Sequence, residues 1–114
     1  MEDVMDIHKR YEGDVAILQL DGQLNLTSAS TLKEASKEVL ANDTKKMVLN
    51  LEKVDFINSS GLGALVSILK DVRNARASMK ISNLAPYVKE IFDITQLSNI
   101  FEIFTDENKA VASF

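Results

Sequence analysis

The chain has 114 residues, 46 % of them hydrophobic and 26 % charged, a composition that suits one globular domain and excludes disorder or a fibrous repeat. A formal net charge of −4 leaves no excess of Lys and Arg for broad phosphate-backbone binding, so no direct nucleic-acid partner is expected. With no cysteine there are no disulfides, thiol nucleophiles or thiolate metal sites, and no apolar run approaches the roughly 20 residues that span a bilayer.

The acidic start Met1-Glu2-Asp3 is unlike a signal peptide, and a cytoplasmic domain over residues 1–114 is expected. Met5 to Arg10 reads as a first strand, and Glu12-Gly13-Asp14 as a turn. Val15 to Leu20 is a second strand, paired with the first as a hairpin and broken at Asp21-Gly22. Gln23 to Leu26 is expected to be a connecting loop. Thr27 or Ser28 then offers a side-chain oxygen to cap a helix whose apolar positions are Leu32, Ala35, Val39 and Leu40.

Asn42-Asp43 ends that helix, after a Glu34/Lys37/Glu38 run that reads as its solvated face. The cluster Lys45-Lys46 reads as a solvated strand entrance. Met47 to Leu51 is mostly apolar, the pattern of a short strand with both faces covered. Glu52 to Asn58 is expected to be a loop or short extension.

A second helix carries Leu62, Leu65, Val66, Leu69 and Val72 on one stripe and runs to about Ala75. Met79 to Ser82 is a fourth strand. Pro86 suits the first turn of a third helix, where Val88, Ile91 and Phe92 form the apolar face. Ile100 to Phe104 reads as a last strand, and Asp106 as the cap of a terminal helix containing Val111 and Phe114. Two strands followed by alternating helix and strand predict an α/β domain with a mixed, mostly parallel sheet opened by a hairpin and about four helices.

Most of this could serve any small α/β domain, but Asp55 to Leu65, D-F-I-N-S-S-G-L-G-A-L, is more informative. Two hydroxyls open the second helix, and either Ser59 or Ser60 can serve as its N-cap. Gly61 and Gly63 each lose about 1 kcal/mol to Ala in a helix, which suggests a close approach to the backbone. At about 100° per residue, Gly61, Ala64, Ile68 and Ala75 fall away from the centre of the apolar stripe. An exposed Ile68 among small residues is then expected to form a shallow docking patch.

This segment resembles the signature of the STAS-domain anti-sigma factor antagonists, and Leu20-Asp21-Gly22-Gln23-Leu24-Asn25 with Thr27 resembles the family's upstream landmark. The resemblance extends over the whole chain and implies a STAS-type single domain acting by partner switching. An unphosphorylated antagonist binds an anti-sigma factor, usually a serine-protein kinase, and so frees the sigma factor. The kinase phosphorylates the motif's first serine, here Ser59, and a serine phosphatase resets the switch. The implied partner-binding set is Asn25, Thr27, Asn58, Ser59, Ser60, Gly61, Leu62, Gly63, Ala64 and Ile68, with no catalytic residue, cofactor or metal.

Asn25 and Asn58 stand where the family usually carries Asp. Two readings follow: a kinase that accepts the neutral pair, or a constitutive, non-phosphorylated interaction module of a stress-signalling scaffold or a lipid or solute transport complex. Nucleotide binding, known for some STAS relatives, is a further hypothesis. The lone His8, with no cysteine or paired carboxylate near it in sequence, reads as a strand or surface residue. Tyr87, Phe92, Phe101 and Phe104 read as core or packing residues, since no basic residues interleave with them.

Overall fold

The computed structural model describes residues 5–114, so the acidic stretch Met1-Glu2-Asp3 lies outside the described residues. Strands β1 (Asp6–Glu12) and β2 (Val15–Leu24) form the antiparallel hairpin, turning through Gly13 at φ 62°. There follow α1 (Leu26–Ala41), β3 (Lys46–Ile57), α2 (Ser59–Asn74), β4 (Ser78–Ser82), α3 (Pro86–Ile94), a 3-10 turn (Leu97–Asn99), β5 (Glu102–Phe104) and α4 (Glu107–Ala112). The sheet order is β1-β2-β3-β4-β5, and β2 to β5 are parallel.

When spatial order repeats chain order, successive right-handed crossovers place their helices on one face of the sheet. The core agrees. Ala16, Leu18, Leu20, Met47, Leu49, Leu51 and Ile81 point to the face covered by α1, α2 and α3, where they meet Leu32, Leu65, Ile68 and Phe92. The opposite face is smaller: Val15, Ile17 and Val48 pack under Ala110 of α4, with Val111 and Phe114 beside them. There the Lys80 ammonium is buried over the rings of Phe104 and Phe114, 5.5 and 4.6 Å from their centroids.

Two strands are longer than their hydrophobic patterns. Asp21-Gly22 does not end β2, and Glu52 to Ile57 is strand where a loop is the alternative. The hairpin register stops at Asp6↔Asp21 and the β3–β4 register at Asn50↔Ser82. Beyond them β2 and β3 stay paired with each other as far as Leu24↔Ile57, through two register shifts around Asp21 and Gly22. Gly22 has φ 135°, a conformation that suits glycine at such an irregularity. Main-chain pairing carries this arm, with Leu24, Val54 and Ile57 as its buried side chains.

α3 begins at Pro86 and α4 is capped by Asp106, whose carboxylate accepts the Lys109 N–H at 2.8 Å. The last strand is shorter than Ile100 to Phe104, because the 3-10 turn occupies the approach to it. Tyr87 is a correction: it is exposed, since α3 buries Val88 and Phe92 and turns Tyr87 outward. Among the described residues, no helix is long and apolar enough to cross a membrane.

Candidate functional site

At the tip of the two-stranded arm, β2 and β3 hand over to α1 and α2 side by side. Both helix starts are capped by asparagine, which corrects the assignments to Thr27 or Ser28 and to Ser59 or Ser60. Asn25 Oδ1 accepts the Ser28 N–H at 3.2 Å, and Ser28 Oγ accepts the Asn25 N–H at 2.9 Å, a reciprocal capping box. Ser28 Oγ also donates to the Gln23 carbonyl at 2.7 Å, tying the cap back to the strand. In the second junction Asn58 Oδ1 accepts the Gly61 N–H at 3.0 Å. The spacings Asn25-x-x-Ser28 and Asn58-x-x-Gly61 carry this signal, because asparagine ranks with serine as an N-cap.

The junctions are stitched together. The Asn58 N–H donates to the Leu24 carbonyl at 3.2 Å. Gly61 lies so close to the same carbonyl that a Cβ there would sit 2.3 Å from the Leu24 oxygen. Glycine at 61 is therefore the condition for bringing the two helix starts together.

Gly63 differs. A Cβ there would meet nothing within 4 Å, and its φ lies outside the positive region. The fold does not use this glycine, which in a helix is about 1 kcal/mol less favourable than alanine.

The burial of α2 reverses one expectation. Gly61, Ala64 and Ile68 are buried, with Ile68 wholly inaccessible, because this side of the helix faces α1 and the end of β2. The docking patch expected at Gly61, Ala64 and Ile68 is thus interior. Val66, expected within the apolar stripe, is instead 39 % exposed. The outward surface at this mouth comprises Thr27, Ser59, Gly63 and Val66, all exposed, with Asn25, Asn58, Ser60 and Leu62 half-buried. Two apolar side chains missed by periodicity join it: Leu26, the first residue of α1, at 75 % exposure, and Phe56 near the end of β3 at 37 %.

Ser59 is the first residue of α2, and that first turn contains no acidic residue. Its hydroxyl stands at the positive end of the helix dipole, close to main-chain N–H groups that have no intrahelical acceptor. A phosphate added there would be stabilised by the helix that carries it.

His8 is exposed on the edge strand β1, opposite Gln19, and so belongs to the sheet and not to the arm tip. A half-open cavity of about 390 Å³ lies elsewhere, lined by Leu84, Phe101, Phe104, Lys89, Asp93 and Ser98 among others. Asp93 in that cavity is held below the usual carboxylate value, first by the Ser98 hydroxyl and then by the Lys89 ammonium 3.0 Å away. None of its lining residues comes from the two capped junctions.

Residues 6–110 match the STAS domain family. The anti-sigma-B factor antagonist of Bacillus subtilis is 32 % identical over 95 residues, covering 83 % of this chain and 85 % of that protein. The anti-sigma F factor antagonist of Paenibacillus polymyxa is 25 % identical over 108 residues, covering 94 % of this chain and 92 % of that protein. Among solved structures, an anti-sigma factor antagonist from Mycobacterium paratuberculosis superposes with a TM-score of 0.86. It is 18 % identical, with 96 % of this chain and 92 % of that one covered.

Proposed function

The chain belongs to the STAS domain family, and from this premise we propose that it is an anti-sigma factor antagonist that docks its partner at the arm tip and is switched at Ser59. The carrying observation is the placement of Ser59: an exposed hydroxyl at the start of α2, on the strand-paired junction. The partner is an anti-sigma factor with serine-kinase activity, and a serine phosphatase reverses the modification. The setting is the cytoplasm, and the domain acts by binding, not by catalysis. Its contact residues are the accessible members of the motif, namely Thr27, Ser59, Ser60, Leu62 and Gly63, with Asn25 and Asn58 shaping the two helix starts.

Phosphorylation would add roughly −1.5 to −2 charges and three acceptor oxygens at Ser59. The fold tolerates this, because the phosphate faces free N–H groups at a helix N-terminus. A docked partner does not, because the charge must be desolvated within the contact. The switch is local and needs no rearrangement of the core.

A second reading, a constitutive module without phosphorylation, is favoured by one observation. Asn25 and Asn58 stand where the family usually carries acids, and both side-chain oxygens are committed to caps. One experiment separates the two. The anti-sigma factors of the host are purified and each is tested for binding to wild type, Ser59→Ala and Ser59→Asp, while mass spectrometry follows Ser59 in cells under growth and stress. The switched antagonist predicts capture by wild type and Ser59→Ala, weakened capture by Ser59→Asp, and a phosphorylated fraction at Ser59. Equal capture by all three proteins with no modification refutes the switch and supports the constitutive module.

A further inference from the structure

α3 turns Val88 and Phe92 into the core, and Lys89 and Asp93, each one position further round the helix, stand on the wall of the half-open cavity of about 390 Å³. After α3 the chain reverses at Gln96, where φ is 64°, and the 3-10 turn brings Ser98 to the cavity before leading into β5. Inside lies Phe101, buried and packed on Phe92 with ring centroids 5.8 Å apart, so this wall is fixed by the core. Ile103 and Phe104 both line the cavity, although alternation along a strand sends them to opposite faces of the sheet. Ile103 joins the core under α1 to α3, and Phe104 joins the cluster under α4. The hollow therefore reaches round the edge of the sheet, where β5 is the outermost strand.

Three features restrict what fits there. The first is size: about 150 Å³ of apolar cavity holds a benzene, so 390 Å³ admits a body of two rings. The second is the free strand edge. The Phe104 carbonyl accepts the Asn83 N–H at 3.1 Å and so points toward β4. Its neighbour Ile103 then directs its own N–H and carbonyl the other way, out from the sheet. Because β5 has three residues, Ile103 is the one that presents a main-chain donor and acceptor outward, which is too little to register an added peptide strand but matches a single donor–acceptor group. The third is charge. Lys89 and Asp93 stand 3.0 Å apart at the rim, and Lys109 reaches Thr105 Oγ1 at 3.3 Å beside Asp106. Both signs are present on both sides of the mouth, so a singly charged ligand meets a like charge wherever it meets an opposite one.

We propose that this cavity is a binding site for a small uncharged amphiphile, with a body of about two rings against Leu84, Phe101 and Phe104 and a hydroxyl or amide head on the Ile103 main chain. Leu84 and Thr105 follow the ends of β4 and β5, which puts the site at the carboxyl end of the parallel strands, where open α/β sheets hold their ligands. A hydroxyl both donates and accepts, so one such group can serve the Ile103 carbonyl and N–H in turn. An uncharged ligand also leaves the Lys89–Asp93 pair in place, and the two side chains close over its outer end. The arm tip supplies none of the lining, so the proposal does not rest on the antagonist reading.

The test titrates the full chain, isotope-labelled for amide NMR, with three probes that share a two-ring body: naphthalenemethanol, naphthoate and naphthylmethylammonium. Naphthalenemethanol is expected to bind with a dissociation constant of about 1 mM or below, shifting the amides of Leu84, Ser98, Phe101, Ile103 and Thr105 and leaving Ser59 and Gly63 unmoved. Both charged probes should bind about threefold more weakly or worse. Asp93→Asn leaves Lys89 without its opposite charge and should improve naphthoate alone by a similar factor. Leu84→Trp puts a larger ring into the hollow, and the chain has no other tryptophan, so blue-shifted emission reports that the ring is inside. Binding should then fall about tenfold or more, because the body of the ligand has lost its place. Shifts centred away from the lining, equal affinity for the three head groups, or undiminished binding with the indole buried overturns the proposal, as does a wild type that none of the probes shifts. The wild-type shift map needs no variant, so it decides the site even where Leu84→Trp fails to fold. The antagonist reading survives each of these outcomes.

Discussion

Replacing Gly61 with alanine tests the geometry that joins the two helix starts. The added Cβ would sit 2.3 Å from the Leu24 oxygen and 2.9 Å from both the Leu24 carbonyl carbon and its Cγ, where ordinary contact begins near 3.4 Å. About 1 Å of movement is required, and the surroundings resist it. The Leu24 carbonyl accepts the Asn58 N–H, Leu24 is paired with Ile57 across the arm, and its side chain is fully buried. Overpacking of this kind costs about 1–3 kcal/mol, and losing the Asn58–Leu24 hydrogen bond adds about 1 kcal/mol. The gain in helix propensity offsets at most about 1 kcal/mol. The balance is a loss of about 2 kcal/mol. With a urea m-value of about 1–3 kcal/mol/M, the unfolding midpoint should fall by roughly 1 M with m unchanged. A Gly61→Ala protein as stable as the wild type, or more stable, would refute the claim that this glycine exists to admit the Leu24 carbonyl.

Three further outcomes are expected. Asn58→Ala removes the oxygen that accepts the Gly61 N–H and should cost about 1 kcal/mol in urea unfolding. Asn58→Asp keeps the cap, adds a charge favourable to the helix dipole, and should match or exceed wild-type stability; a clear loss would contradict the capping geometry. Ile68→Ala should destabilise the domain by about 2–5 kcal/mol in the same assay, because Ile68 is wholly buried; a loss below about 0.5 kcal/mol would return it to the surface. Asp93 has a folded-state pKa held below its unfolded value of about 3.9, so its contribution is present above that pH and disappears as pH falls through the folded value. Asp93→Asn should therefore match wild type at about pH 2 and be slightly less stable near pH 5, the gap kept small by solvent screening of a half-exposed side chain. Parallel acid-unfolding profiles offset by the same amount at both pH values would exclude this assignment.

Local pattern made the element order legible, because each element has its own repeat. The alternating and apolar runs around Val15–Leu20 and Met47–Leu51 are strands, and the helical spacing of Leu32, Ala35 and Val39 is a helix. Pro86 and Asp106 marked their helix starts for local reasons too, a fixed φ and a short side-chain acceptor. The motif from Asp55 to Leu65 was likewise readable as a serine-bearing helix start on a strand end, and Ser59 is exposed as that reading requires.

What pattern could not decide depended on neighbours distant in the chain. β2 and β3 run on past Asp21 and Glu52 because their main chains find each other there, although half of the side chains are polar. The face of α2 was ambiguous for a related reason. A helix wedged between the sheet and α1 buries more than one narrow stripe, and small residues such as Gly61 and Ala64 score weakly although close packing needs them. The one-dimensional repeat therefore identified that α2 was amphipathic, and the tertiary structure chose its inner side. Leu24 and α1 claim Gly61, Ala64 and Ile68, which leaves Ser59, Gly63 and Val66 to face outward.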